Sequence, residues 1–166
     1  MKQGQLKFPL RIPFVEELGL ELWGFGDGKA ELRVNLEDAH LNSWEVAHGG
    51  VLMTMLDVAM AHAARSAASG HASARSARCH SPADAPGVAT IEMKTSFMRP
   101  AEGQLRALGT LLHRTATMAF TEGSVFNEAG QLCAHATATF KFLRALPTTG
   151  RHAKALQPNP DPQGPP

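Results

Sequence analysis

A helix that is apolar on every side constrains this chain more than any other feature. Residues 50–64 contain good helix formers and no proline, and their apolar side chains point in all directions around a helical axis. Such a helix is buried all round. A chain of 166 residues suffices for one domain with a sizeable core, not for two comfortable ones, so the remaining segments must wrap around this helix.

The segments on either side of the helix have the patterns of β-strands. In residues 30–37 apolar and polar side chains alternate with period 2, and a short helix is predicted from Pro13, ended by Gly19. Four later segments resemble strands less cleanly, and the turn NEAG joins the last two; they begin at Val88, Gln104, Thr117 and Gln131. The sequence therefore predicts an α+β fold, an antiparallel sheet of about five strands curled around one long buried helix.

Three segments carry weaker signals. The first few residues are predicted to be a loose start, and residues 145–166, which end in PNPDPQGPP, a disordered or loosely attached tail. Residues 66–87 form a long connection rich in Ala, Ser, Arg and His. A surface loop is favoured there, and a lid is the alternative.

Composition excludes several function classes. The chain is 43% hydrophobic and 19% charged, as in soluble globular proteins, and its net charge of +1 gives no electrostatic case for nucleic acid. Cys79 and Cys133 are too few for a disulfide framework. No signal-peptide pattern opens the chain, and Asp57 interrupts the longest apolar stretch well short of a membrane span. We expect a cytoplasmic protein that does not bind membranes.

Asp57 is the only carboxylate in residues 47–66, the most apolar part of the chain. Burial of a carboxylate is unfavourable unless it has a partner or its pKa rises. Asp57 is therefore either a core residue satisfied by a neighbouring hydroxyl or backbone group, or a functional acid. His48-Gly49-Gly50 at the helix start is either a simple turn or a place where unpaired first-turn N–H groups meet a developing oxyanion.

Together these residues resemble a known family. Asn42, His48-Gly49-Gly50 and Asp57 match the motif N-x5-HGG-x6-D of hotdog-fold acyl-CoA thioesterases of the phenylacetate-degradation (PaaI) type. PFVEELG, MKTSFMRPA and the closing TATFKF are similar to elements of that family in the same order. The resemblance covers residues 8–144, which we interpret as one hotdog domain.

The resemblance implies roles for individual residues. Asp57 matches the catalytic carboxylate, which activates a water or attacks the thioester directly, and the backbone N–H of Gly49 matches the group that polarises the carbonyl. Asn42 and His48 match groups that position substrate and water. Thr90 falls where relatives commonly carry a Ser or Thr that hydrogen-bonds near the reacting centre.

Substrate and cofactor follow from the same resemblance. The substrate is an acyl-CoA with an aryl, phenylacetyl or medium-chain acyl group, CoA is part of that substrate, and no cofactor or metal is expected. The histidines, among them His62 and His135, lack the tight ligand pairs of zinc sites.

Basic residues are candidates for contact with the CoA phosphates. Lys94, Arg99 and Arg114 lie on or beside the presumed site strands, although each is also explained as part of a solvated face. If residues 66–87 form a lid, Arg75 and Arg78 would join these candidates.

Spacing predicts a second copy of the chain. At roughly 1.5 Å per helical residue, Gly49 and Asp57 are about 12 Å apart, too far to serve one carbonyl. Antiparallel helices from two subunits would bring Gly49 of one towards Asp57 of the other, so we expect a homodimer and, by resemblance, a dimer of dimers. Two alternatives remain: a non-catalytic acyl-CoA-binding module, and a hydratase or dehydratase, which would need an Asp/His pair on a different segment.

Overall fold

The computed structural model describes residues 2–70 and 86–143 together with Pro158. Over these residues it contains seven strands, two α-helices and a 3₁₀ turn at Asp38–His40. The strands are β1 (Lys2–Leu6), β2 (Glu21–Gly26), β3 (Lys29–Asn35), β4 (Gly87–Phe97), β5 (Gln104–Arg114), β6 (Met118–Phe126) and β7 (Leu132–Leu143), and the helices are α1 (Pro13–Glu17) and α2 (Gly49–Gly70).

The strands form one antiparallel sheet that curls around α2. Their order is β1-β2-β3-β5-β6-β7-β4, so the chain leaves β3, runs through α2 and returns as β4 at the far edge of the sheet. Helix α2 packs against the inner face, where its Met55, Leu56, Ala59 and Met60 side chains are completely buried. This arrangement confirms the predicted α+β hotdog class.

A row of small residues lets the helix approach the sheet closely. Ala30, Gly109, Gly123 and Ala136 lie side by side across four strands. A Cβ atom at Gly109 would overlap the backbone carbonyl of Ala59, and one at Gly123 would lie 3.0 Å from the Met60 side chain. The glycines therefore fix where α2 crosses the sheet, and hence where Asp57 lies.

The prediction of about five strands was wrong, because β1 and β2 were missed. The opening residues are not loose over Lys2–Leu6, which pair with β2. In β2 the buried positions are Leu22 and Gly24, and the glycines at 24 and 26 hide the alternation that identifies a strand. The predicted short helix at Pro13 and the turn at residues 127–130 are both present.

Helix α2 also extends beyond its predicted end near Ala64, to Gly70. Its last turns are tied to the sheet, because the Ser66 hydroxyl accepts the N–H of Gly28 at 3.0 Å. The beginning of the predicted loop at 66–87 is thus helical, whereas Arg75 and Arg78 lie outside the described residues.

The predicted tail at 145–166 also lies outside the described residues, apart from Pro158, which forms an isolated β-bridge with Leu10. Among the helices that are described, none has the length and apolar character that crossing a membrane requires.

Candidate active site

Asp57 lies on α2 with its side chain directed at β4. The Thr90 hydroxyl donates a hydrogen bond of 2.7 Å to Asp57 Oδ1, and the carboxylate is half-buried. Burial raises the pKa of Asp57 above its ordinary value, and the hydrogen bond from Thr90 opposes this shift because it stabilises the ionised form. The result is a partly desolvated carboxylate with one fixed donor.

A β-bulge in β4 aims Thr90 at the helix. Thr90 pairs with Phe140, and Met93 with Ala138, so one extra residue of β4 lies opposite the same stretch of β7. The irregularity falls at Ile91, whose side chain is 57% exposed. Because the bulge resets the alternation, Thr90 and Met93 both lie on the helix side of β4 despite their odd spacing, with Met93 packed against the core and Thr90 exposed.

The start of α2 is the second chemical feature. His48 Nδ1 accepts the N–H of Gly50 at 2.9 Å, which caps the helix. Within residues 2–70 and 86–143, no acceptor takes the N–H of Gly49. The Phe97 ring lies beside Gly49, since a Cβ built there would contact it at 3.5 Å. This helix start offers one unpaired N–H group next to an aromatic ring.

An open, mainly apolar groove of about 400 Å³ leads to the helix start. It is formed where α1 and the 3₁₀ turn meet α2, so segments from three parts of the chain line it. The lining residues are Phe14, Leu18, Ala39, Leu41, His48, Gly50, Val51 and Thr54. Local sequence patterns do not predict this groove, because only the tertiary packing brings these segments together.

Asn42 holds the loop before the helix. Its Oδ1 accepts the N–H of Trp44 at 2.8 Å, and its own N–H donates to Val46 O at 2.9 Å. The side chain is thus engaged in a turn within the subunit. The role that the resemblance implies for Asn42, positioning substrate and water, remains a prediction.

The structure brings Asp57 and Thr90 together, and separately it assembles His48, Gly49 and the groove. Asp57 and Gly49, one from each group, lie on the same helix with their backbones about 12 Å apart along its axis. One chain therefore presents two half-sites rather than one complete site.

The three predicted phosphate ligands do not form a cluster. Lys94 is exposed on β4, Arg99 donates to Leu132 O at 2.9 Å just beyond that strand, and Arg114 donates to Ala67 O at 3.3 Å. The Arg114 guanidinium also lies 4.9 Å from the centre of the Phe142 ring. Arg114 thus packs against the later part of α2, away from the groove.

The two histidines considered as metal ligands have other contacts. His62 is buried, and its Nδ1 is 2.8 Å from Val58 O. His135 Nδ1 is 3.1 Å from the Ser124 hydroxyl on the neighbouring strand. Over the described part of the chain, no three His, Cys, Asp or Glu side chains converge as a metal site needs.

Comparisons with known proteins agree with this fold. The model of the thioesterase superfamily matches residues 45–134, which is more than half of the chain and contains Asp57, Thr90, His48 and Gly49. The medium/long-chain acyl-CoA thioesterase YigI of Salmonella typhimurium is 28% identical over 137 residues, which cover 80% of this chain and 87% of that protein.

Solved structures add to these matches. A conserved protein from Pseudomonas aeruginosa is 27% identical with a TM-score of 0.68, covering 81% of this chain and 97% of that one. The PaaI protein of the Escherichia coli phenylacetic acid degradation operon, 17% identical with a TM-score of 0.67, covers 80% and 86% and shows a shared fold.

Proposed function

Because this chain belongs to the thioesterase superfamily, we propose that it is an acyl-CoA thioesterase that hydrolyses its substrate to a free acid and CoA. The observation that carries the proposal is the half-buried Asp57 carboxylate held at 2.7 Å by Thr90. Hydrolysis of a thioester needs an activated oxygen nucleophile and a donor for the oxyanion. Asp57 and the N–H of Gly49 supply these two functions.

The reaction begins with Asp57 ionised. As general base the carboxylate takes a proton from a water that attacks the thioester carbonyl, and as nucleophile it attacks that carbon itself. In both routes the carbonyl oxygen gains negative charge, which the N–H of Gly49 stabilises, and collapse of the tetrahedral intermediate breaks the C–S bond and expels the CoA thiolate, which takes up a proton. The general-base route gives the free acid directly. The nucleophilic route leaves a mixed anhydride on Asp57, which water then hydrolyses to the free acid and the regenerated carboxylate. The Thr90 hydroxyl keeps the carboxylate oriented and favours its charged form.

A homodimer completes the site. The edge strand β4 has eleven residues, and in the described part of the chain no strand pairs with its outer edge. Its Ile91 and Phe97, and Met98 just after it, are exposed. Long apolar edge strands pair with other chains. The opposite edge, β1, has only five residues, so we propose that β4 pairs antiparallel with its own copy.

The register of this pairing joins the half-sites. Because Ile91 is the extra residue of the bulge, Thr90 and Phe97 are each three ladder positions from Lys94. A two-fold axis through Lys94 therefore sets Thr90 opposite Phe97 of the partner subunit. In each subunit Thr90 contacts Asp57 and Phe97 lies beside Gly49. The pairing therefore carries Asp57 of one subunit towards Gly49 of the other, and two such sites form. Association of two dimers, expected by resemblance, remains a prediction.

The groove supports an apolar acyl group. Its side chains include Phe14, Leu18 and Val51, and it opens at the helix start where the carbonyl would lie. The name of the Salmonella relative specifies medium and long acyl chains. We therefore propose medium- and long-chain acyl-CoA thioesters as the preferred substrates and keep the aryl and phenylacetyl thioesters as competing members of the test panel. For the CoA phosphates we propose Lys94 and Arg99, on or beside the paired edge, before Arg114.

The test is turnover of an acyl-CoA panel, followed by release of free thiol, for the wild type, Asp57→Ala and Asp57→Asn. Loss of a general base typically lowers kcat by roughly 10²- to 10⁴-fold. The matched control is Glu92→Gln, because Glu92 is also a carboxylate bonded to a threonine hydroxyl, that of Thr139 at 3.0 Å, but it lies on an exposed part of β4. This variant should retain wild-type turnover.

Three outcomes would contradict the proposal. Activity that survives in both Asp57 variants would remove Asp57 from the chemistry. Binding of acyl-CoA without turnover by the wild type would support the non-catalytic module instead. Hydration of an enoyl-CoA without thiol release would support the hydratase.

A further inference from the structure

Trp44 is the most exposed large apolar side chain in the described part of the protein. Its relative exposure is 84%, higher than that of Phe14, Ile91 or Phe97. An indole is a large apolar surface, and leaving it in water forgoes the free energy that burial would contribute. The other tryptophan, Trp23, donates its Nε1–H to Glu21 at 2.8 Å and lies under the Arg33 guanidinium. Among the described residues, the Trp44 ring makes no such hydrogen bond or cation–π contact.

The backbone that carries Trp44 is firmly held. Its N–H donates to Asn42 Oδ1 at 2.8 Å, and the next residue, Glu45, donates to Asn42 O at 3.0 Å. Glu45 has a φ of 59°, a left-handed conformation that is unfavourable for a residue with a side chain. The ring is therefore presented on a structured turn, so little conformational entropy is lost when something packs against it.

The turn lies at the mouth of the candidate site. Leu41 and His48, which flank it in sequence, both line the groove. The N–H of Ala47 donates to Ala101 O at 2.9 Å, which places the turn beside the segment that contains Arg99. An exposed aromatic face, a carboxylate at Glu45 and a guanidinium at Arg99 thus occupy the same end of the molecule.

A CoA thioester matches this set of groups. When its acyl group lies in the groove, the pantetheine arm leads outwards and the adenine ring must lie on the surface. The adenine ring can stack on an exposed indole, and its exocyclic amino group can donate a hydrogen bond to a carboxylate. The phosphates of the nucleotide can pair with a guanidinium. An acyl chain needs none of the polar groups.

We propose that the Trp44 indole is the stacking platform for the adenine ring of the acyl-CoA substrate. This inference rests on the proposed function, because it assumes that the substrate is a CoA ester. It makes Trp44 a binding residue that acts on the nucleotide and not on the reacting carbonyl.

The test compares two substrates with the same acyl group, the acyl-CoA and the acyl-pantetheine, which lacks the nucleotide. Loss of one stacked base lowers binding by roughly 5- to 100-fold. Trp44→Ala should therefore reduce the ratio of kcat/KM for acyl-CoA to that for acyl-pantetheine by this factor, mainly through KM. Trp44→Phe, which keeps an aromatic face, should restore much of the ratio, and Trp23→Phe should keep the wild-type ratio.

A fluorescence measurement tests the platform without relying on turnover. Trp23→Phe leaves Trp44 as the only tryptophan, since the chain has two. Titration with CoA should quench its emission, whereas pantetheine should not. If wild type turns over neither substrate, the proposed function fails, and this titration still decides the role of Trp44.

Two results would overturn the inference. An equal loss of kcat/KM on both substrates in Trp44→Ala would mean that Trp44 acts on the acyl group or only holds the turn. Emission of Trp44 that is already shielded from a soluble quencher in the ligand-free protein would mean that another copy of the chain covers the ring.

Discussion

Asp57 and His62 lie little more than one turn apart on α2. Burial shifts the pKa of each residue in the direction that favours its uncharged form. The pKa of Asp57 is raised, and that of His62 is lowered from 6.5 to about 4, chiefly by burial and further by the charge of Arg65. Their surroundings differ. Asp57 is half-buried and accepts a hydrogen bond from Thr90, whereas His62 is 2% exposed.

A shifted pKa indicates burial of the group and does not by itself identify a catalytic residue. The rings of Phe8 and Phe25 approach His62 edge-on with centroids 5.3 and 6.1 Å away, and its Nε2 has no hydrogen-bond partner in the described part of the structure. A group enclosed in this way packs the core but cannot reach a substrate. Asp57 combines partial desolvation with an open side and an orienting donor, which is what a catalytic base requires.

The largest effect should come from His62→Phe, which tests the enclosed residue. The folded state lowers the pKa of His62 below the unfolded value of 6.5, so the stability that neutral His62 contributes is complete above pH 6.5 and is lost as pH falls towards 4. Over that window the wild type should lose about 3 kcal/mol of unfolding free energy from this residue. His62→Phe should remove this component of the loss, as measured by urea unfolding at several pH values and one protein concentration.

His113→Phe is the matched control for His62. This ring also stacks near a phenylalanine, Phe120, with centroids 6.2 Å apart, but His113 is exposed on β5. The control should therefore keep the wild-type dependence on pH. If His62→Phe also keeps the wild-type dependence on pH, His62 does not cause the acid sensitivity of the fold. The interpretation of His62 as an enclosed, neutral core residue would then be wrong.

A smaller effect is expected at the open residue from Thr90→Val. The hydroxyl of Thr90 favours ionised Asp57, so its removal should raise the pKa of Asp57 further and move the acid limb of the kcat/KM profile to higher pH. A hydrogen bond to a charged group contributes about 1.5 to 3 kcal/mol, so we expect roughly a tenfold loss on the acid limb of the profile and a smaller loss on its alkaline side. The measurement is a pH–rate profile with the best substrate of the panel.

Thr95→Val provides the comparison on the same strand. The Thr95 hydroxyl is buried without a hydrogen-bond partner in the described residues, so replacing it with a methyl group leaves Asp57 unchanged and removes an unsatisfied polar atom. Its acid limb should coincide with that of the wild type. An unchanged limb in Thr90→Val as well would show that the Thr90 contact does not control the charge of Asp57.

Local sequence patterns predicted some elements of the fold and missed others. Apolarity on all sides identified α2, and alternation identified β3, because both patterns depend on local spacing. Strand β2 was missed because Gly24 and Gly26 interrupt its pattern, and the end of α2 because Ala and Ser after residue 64 contain no stop signal.

The site was predictable only in part. The motif located Asp57 and Gly49, since their spacing is fixed along one helix. The resemblance also pointed to Thr90, but the sequence did not predict the bulge at Ile91 that directs Thr90 at Asp57, or the groove, which three distant segments form. Trp44 was missed, although a tryptophan among polar residues in the turn NSWEV is a signal for exposure. Features made by tertiary packing are not encoded in local periodicity.

The smallest effect should be a gain in stability from Asp57→Asn. The folded state raises the pKa of Asp57, so protonation of this group stabilises the fold below pH 3.8, and that contribution is lost as pH rises through the folded-state pKa. At pH 7 the charged carboxylate is thus unfavourable compared with an amide, which still accepts the hydrogen bond from Thr90. Because water screens the half-exposed group, the gain should be below about 1 kcal/mol. Urea unfolding of Asp57→Asn beside Glu92→Gln measures this gain. A loss of stability in Asp57→Asn alone would mean that the carboxylate stabilises the fold. It would contradict the interpretation that Asp57 is retained for chemistry at the expense of stability.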